Sequence, residues 1–339
     1  MFKSKAGPVI GVDIGSSSIK CVEILRHKGV IDLKRVMVLP GASQTSATAD
    51  TLKSFFEAYP SVPKNVRISL AGPSVVIRRI TLPIMTHSDL KGAIGFEAEN
   101  HLPFAIEECV LDFQILDQVP NQAMMNVLLV AAKRDYIQER LDMLSQVNIQ
   151  PDLIDLDVFC LSNAFELLNN APQNKIYGLL DIGHQMSSFL IIKDKFPYLV
   201  RDIAYGGLSV THALVELKGV SVTDAETLKL SREAGVLDDL RASTKKAFEP
   251  LVEELKNSID FCEGEMGEPL TAIWLSGGGA ASVGSAKMLS EAIGKPVSLW
   301  DNLAKMNVHQ KVDREFLKDR SAEFNVAFGM ALRETGGSK

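Results

Sequence analysis

The chain has 339 residues, 46% hydrophobic and 23% charged, enough apolar material for two domains or one two-lobed unit with a large core. Its net charge of −6 argues against a nucleic-acid binder, and no apolar run approaches the roughly 18 residues of a membrane helix. Asp13 interrupts the N-terminal apolar stretch, so no signal peptide is expected, and the scattered Cys21, Cys109, Cys160 and Cys262 fit reduced thiols of a cytosolic protein.

In chain order, residues 8–14 read as a strand, 15–18 as a turn and 19–25 as a second strand, with a third around "IDLKRVMVL". A small-residue loop from Pro40 to Ala49 leads into a helix, "DTLKSFFEAY", which Pro60 and Pro63 should stop. "NVRISLAG" is a further strand. From Ser74 to about Ile149 the texture changes: "VVIRRITLP", "VLDFQILDQV" and "NVLLVAAK" read as strands, and "HSDLKGAIGFEAENHL" and "RDYIQERLDMLSQVN" as helices, a compact inserted subdomain. "LIDLDVFCLSNAFELLNN" reads as a strand running into a helix. Beyond Lys175 come a second hairpin, helices at 208–218, 222–235 and 243–266, the strand "LTAIWLSGGG", a helix "SAKMLSEAI", a strand "PVSLW" and a last helix "AEFNVAFGMALRE". Alternating strands and helices indicate an α/β protein.

Two stretches repeat one layout half a chain apart. "GVDIGSSSIKCVEI" and "YGLLDIGHQMSSFLII" each place an apolar run before Asp-Ile-Gly, a polar turn and a second apolar run. Taken alone, either is an ordinary hairpin with Asp as turn former. As a pair they read as phosphate-and-metal loops: Gly15 and Gly183 leave room for an oxyanion, and the amides of Ser16, Ser17 and Ser18 form a nest for it. Lys20 is placed to reach a phosphate, while Asp13 and Asp181 suit the water shell of a Mg²⁺ ion. Gly277, Gly278 and Gly279 after the strand "WLS", and Gly206-Gly207 before a helix, let backbone come close to an anionic ligand. Neither is a dinucleotide fingerprint, and no P-loop occurs. Thr223 and Glu226 suggest a capping box; Glu226 and Lys229 share a helix face, either as a surface ion pair or to bind ribose hydroxyls and flank an adenine. Of Asp152, Asp155 and Asp157, one is placed to orient a water attacking a γ-phosphate, and any of them could instead cap the next helix.

Five segments, Asp13 to Lys20, Asp155 to Phe165, Asp181 to Ser188, Ser276 to Gly279 and Phe324 to Leu332, resemble in order those of the actin-like ATPase superfamily. Within it, "LKGAIGFEAENHLPFAIEECVLDFQIL", "VLLVAAKRDYIQERLDMLSQVNIQPDLIDLD", "LSGGG" and "FNVAFGMALR" resemble the PilM family of type IV pilus assembly proteins across nearly the whole chain. The resemblance implies a two-lobed actin-like fold, a duplicated ribonuclease H-like α/β core with an inserted small α+β subdomain. Residues 1–73, 151–174 and 322–339 would form the first lobe, 74–150 an insertion of the kind in PilM and FtsA, and 175–321 the second lobe with its adenosine-binding part. It further implies ATP and Mg²⁺ between the lobes, with Asp157 at the hydrolytic position, one methylene shorter than the Glu of many relatives and so expected to give slow turnover. The implied partner is the cytoplasmic N-terminal tail of PilN, in a groove where the first lobe meets the insertion, near residues 80–83 and 103–104, which would hold the protein at the inner face of the inner membrane. His184-Gln185-Met186 replaces smaller residues and is expected to crowd the phosphates; "LWDNLAKM" lacks the Asn-Pro-Phe often found there. Two other readings stay open: a metabolic small-molecule kinase of the same superfamily, or a scaffold of cell division or secretion like FtsA. The first lacks a zinc signature and an acid-rich sugar pocket, and for the second "ALRETGGSK" is too short and polar for an amphipathic membrane helix.

Overall fold

The computed structural model describes residues 7–41, 45–57, 59, 62–169, 172, 174–193, 196–230, 234–282, 284–318 and 320–334. The chain opens with β1 (Val9–Ile14), β2 (Ser18–His27) and β3 (Val30–Pro40), then α1 (Thr45–Phe56) and β4 (Val66–Leu70). Next come β5 (Val75–Pro83), α2 (His87–Glu99), β6 (Cys109–Gln118), β7 (Met124–Lys133) and α3 (Arg134–Ser145). β8 (Leu153–Leu156) runs into α4 (Asp157–Leu168). The second half holds β9 (Ile176–Ile182), β10 (Ser187–Lys193), β11 (Phe196–Ile203), α5 (Gly207–Lys218), α6 (Val222–Leu230), α7 (Ala234–Met266), β12 (Ala272–Ser276), α8 (Ser285–Ile293) and β13 (Val297–Leu299). β14 (Asn307–Val308), α9 (Arg314–Lys318) and α10 (Asn325–Leu332) end it. α1 begins inside the stretch the sequence suggests as loop, and the stop expected at Pro60 lies outside the described residues.

The duplication extends from motif to topology. One sheet runs β14-β3-β2-β1-β4-β8 and the other β11-β10-β9-β12-β13. In both, a hairpin and a third antiparallel strand are extended by parallel strands: β1 pairs antiparallel with β2 and parallel with β4, as β9 does with β10 and β12. Such near-continuous apolar strands need cover on both faces. α4 and α10 supply part of it, packing against each other and joining residues of both sheets in one apolar core that contains Leu161, Phe165, Leu179, Leu190, Phe324 and Phe328. Gly329 sets their closeness: a Cβ there would overlap the carbonyl of Cys160. The four cysteines are buried and free.

The insertion is a three-stranded sheet, β5-β7-β6, whose one face packs Leu90, Ile94 and Ala98 of α2. α3, counted with the insertion by sequence, instead sinks Met143 and Leu144 into the first-lobe core beside Ile10, Val12 and Ile68. The chain also returns to the first lobe before residue 322, because β14 pairs with β3 at its edge. Two residues of strand carry no periodicity that sequence could reveal. No helix among the described residues is long and apolar enough to cross a membrane.

Candidate functional site

The β1–β2 turn closes with the Gly15 amide donating to the Ser18 carbonyl at 3.2 Å, and the β9–β10 turn with Gly183 donating to Met186 at 3.0 Å. Ser16 and Ser17 lie exposed at the first tip, and the Ser17 carbonyl accepts the Gly41 amide at 2.8 Å, tying the tip to the end of β3. Hairpin register places Asp13 opposite Lys20, and the same register in the second hairpin places Asp181 opposite Ser188. The pair of Asp13 Oδ2 and Lys20 Nζ is 3.3 Å long and largely enclosed. Asp181 sits beside Ser276 of β12, whose hydroxyl donates to Asp181 Oδ1 at 2.6 Å and is also 3.2 Å from the carbonyl of Ala322.

Electrostatics joins the two tips. Burial pulls the Lys20 ammonium down, but Asp13, Asp181 and Glu323 outweigh it and hold its pKa above the ordinary lysine value. Burial raises Asp181 to about 6, helped by Asp13 and opposed by Ser276 and Lys20. Burial likewise raises Asp157, the first residue of α4, with Asp13 and Asp181 adding to the effect and Ser69 and Lys20 opposing it. Asp13, Asp157 and Asp181 therefore lie within electrostatic reach of one another and of Lys20, with Glu323 near the ammonium. The field there is more negative than a single lysine can offset.

The structure separates the three acids of "DLIDLD". Asp152 pairs with Arg67 at 3.4 Å and Asp155 with Arg333 at 3.1 Å, structural links that fasten the end of α10 to the first lobe. Asp157 alone of the three enters the field of Asp13 and Asp181.

The glycine segments converge on the second hairpin. The amides of Gly207 and Leu208 donate to the carbonyls of Gly183 and His184, each at 2.8 Å. A Cβ on Gly206 would overlap the His184 carbonyl. Gly277 holds φ +86°, and a Cβ there would overlap the Ile182 carbonyl, so no other residue fits the turn without displacing β9. Gly279 lies against Ile182 and Gly183, and Gly278 faces Glu323, which Arg320 holds at 2.8 Å. Lys229 Nζ donates to the Gly207 carbonyl at 3.1 Å, Thr211 Oγ1 at 2.8 Å and Glu226 Oε1 at 2.9 Å. Burial would raise the Glu226 carboxyl, but bonds from Thr211 and Lys229 bring it below its ordinary value. The cap differs from the one expected: the Ser221 hydroxyl accepts the Asp224 amide at 3.1 Å and donates to the Asp224 carboxylate at 2.7 Å, while Glu226 bonds Thr211 and Lys229 instead. His184 is half-buried beside these groups; burial lowers its pKa, and Lys229, His212 and Lys20 lower it further against Glu226.

Sequence reasoning did not assign Thr211, Glu323, Ser69 or Gly41 to the site, and it named Ser276 only as the start of the segment Ser276 to Gly279. Only Ser276 carried a local signal, standing at the strand end just before the three glycines. Of the groove residues expected at 80–83, Ile80 and Leu82 belong to the insertion's own core, while Thr81 and Pro83 are exposed. The junction of first lobe and insertion instead holds a cavity of ≈ 300 Å³ lined by Leu70, Gly72, Val76, Arg78 and Pro103.

Residues 11–335 match the family described as type IV pilus assembly protein PilM. This chain belongs to the PilM family. A solved structure titled PilM-PilN type IV pilus biogenesis complex superposes on this PilM-family chain with a TM-score of 0.83 at 25% identity, over 96% of this chain and 97% of that one. The ethanolamine utilization protein EutJ from Carboxydothermus hydrogenoformans shares the fold at TM-score 0.57 and 12% identity, over 96% and 90% of the two chains. MreB5 of Spiroplasma citri bound to ADP does so at TM-score 0.50 and 12% identity, over 96% and 95%. The fold is thus the actin-like α/β fold, and the chain is an actin-like protein of type IV pilus assembly.

Proposed function

We propose that this chain is an ATP-binding platform that takes the cytoplasmic N-terminal tail of PilN and so links the inner-membrane complex to the cytoplasmic pilus machinery, with slow hydrolysis at most. The observation that carries the nucleotide part is the nearness of the two matching hairpins, whose Asp13, Lys20 and Asp181 act on one another and on Asp157. The residues fit ATP and Mg²⁺. Burial, with Asp13 adding to it, holds Asp181 up to about 6, a cost that a divalent cation beside it would relieve. Among the described residues no three His, Cys, Asp or Glu side chains stand close enough to ligate a metal directly, so Asp13 and Asp181 would act through its waters.

When bound, the ion neutralises phosphate charge. Lys20 would neutralise a further oxygen, the 183–186 and 277–279 turns would hold the phosphates, and Gly206, Gly207, Glu226 and Lys229 would border the nucleoside. Asp157 holds the water. Two bodies, residues 1–73 with 151–174 and the C-terminal helix, and 175–321 apart from β14, grip the ligand between them, while 74–150 adds the partner surface. The PilN part rests on family membership and on the junction cavity.

Asp13→Ala tests the site by equilibrium dialysis of labelled ATP with and without Mg²⁺. Metal-dependent ATP retention should disappear while circular dichroism stays unchanged; undiminished retention would remove Asp13 and the site with it.

A further inference from the structure

The second lobe carries a groove away from the residues assigned above to nucleotide and to PilN. It has a volume of ≈ 740 Å³ and is lined by α7 and α8 alone. Its surface is mostly apolar: Phe248 and Val252 come from α7, Met288 and Ala292 from α8. Phe248 is buried and packs edge-on against the Tyr205 ring at 5.6 Å. Val252 and Met288 pack on the core of the lobe yet stay half-exposed, and Ala292 is exposed. Lys245, Phe248, Val252, Lys256 and Asp260 recur every three or four residues, so they share one face of α7 over about 22 Å.

The rim of this groove is acidic. Glu249, Glu253 and Asp260 line it from α7 and Glu291 from α8, against Lys245 and Lys256. Glu249, Glu253 and Asp260 form no ion pair among the described residues, and Glu291 lies 3.8 Å from Lys287, both exposed. The surplus continues along the helix. From Glu249 to Glu268 there are seven acids and one lysine, a formal charge of −6, as large as the net charge of the whole chain. Two of the seven are answered, Glu263 by Lys295 at 2.5 Å and Glu268 by Lys193 at 3.2 Å. Such a rim repels an acidic partner and draws a basic one. The side-chain ridges of two neighbouring helices leave a trough that a third helix fills, and the unbranched Met288 can adjust to what enters.

We propose that the α7–α8 groove docks a basic amphipathic helix of a further partner protein. Its apolar side chains would seat on Phe248, Val252 and Met288, and its lysines or arginines would face Glu249, Glu253, Asp260 and Glu291. No residue lining the groove belongs to the insertion, so an occupant here leaves that subdomain free for another segment. The assignment stands on this surface alone and does not depend on the ATP or PilN readings.

The test is fluorescence anisotropy of the full chain with a labelled leucine–lysine peptide of about four helical turns, its leucines on one face. Wild type should bind it about tenfold or more tightly than a scrambled peptide of the same composition, whose leucines encircle the helix. Ala292→Trp fills the groove from an exposed position, and Glu249→Lys with Glu253→Lys reverses the rim at two exposed positions. Each should weaken binding about tenfold or more while circular dichroism matches wild type. Equal binding of the two peptides, undiminished binding by either variant, or no binding by wild type refutes the groove. Sedimentation velocity of the chain alone tests a second copy as occupant: self-association that Ala292→Trp abolishes would overturn the assignment to a partner protein.

Discussion

Asp181→Asn should stabilise the protein while weakening its site. The carboxyl of Asp181 is raised by burial to about 6, from the ordinary aspartate value near 3.9. Below the ordinary value both folded and unfolded chains carry the proton. Between it and about 6 the folded chain keeps a proton that the unfolded chain has released, so stability falls as pH rises through this window. Above about 6 the loss is complete and amounts to about 3 kcal/mol. Asparagine carries no charge to desolvate, and its side-chain oxygen still accepts the Ser276 hydroxyl. With an unfolding entropy of about 2.1 cal/mol/K per residue, 3 kcal/mol over 339 residues corresponds to about 4 °C. Thermal unfolding without nucleotide should therefore show Asp181→Asn melting about 4 °C above wild type at pH 8, with the gap closing toward pH 4.5. Added ATP and Mg²⁺ should raise wild-type Tm and barely move the variant, by loss of ligand linkage. A variant that melts below wild type at pH 8, or a gap independent of pH, would show that the Asp181 carboxylate is not held at a cost.

Gly329→Ala should lower stability by about 3 kcal/mol, because its Cβ meets the Cys160 carbonyl where α4 and α10 cross. Gly92→Ala, whose Cβ meets nothing within 4 Å on α2, should instead gain about 0.5 kcal/mol; chemical denaturation of both variants reads the contrast. Asp157→Glu should increase single-turnover hydrolysis of ATP, since a longer acid reaches the water better, and an unchanged or slower rate would take Asp157 out of that role. Arg79→Ala removes the stacking on Tyr198 and its 3.3 Å pair with Asp117, so hydrogen exchange should quicken in β5, β6 and β11 and stay unaltered in β12.

Much of the architecture was legible because it is written locally. Alternating apolar runs located most strands, and the turn chemistry of Asp-Ile-Gly produced the same closing hydrogen bond in both hairpins, Gly15 to Ser18 and Gly183 to Met186. Registers follow from such turns, so Asp13 opposite Lys20 was close to inevitable once the hairpin formed. The sequence suggested a capping box at Thr223, but Ser221, two residues earlier, caps the helix, a choice that periodicity does not resolve.

Contacts within a few residues suffice for the repeated strand–turn–strand unit, the α/β class and the glycine turns. Which acid of "DLIDLD" joins Asp13 and Asp181 depends instead on packing between distant elements. Arg67 and Arg333, far along the chain, claim Asp152 and Asp155 and leave Asp157 to the field of Asp13 and Asp181. The tertiary structure likewise decided that Ser276 serves Asp181 and that β14 crosses back to β3. These pairings depend on sheet order and on the crossing of two helices, and no spacing in the chain encodes distances between elements that meet only after the core has formed.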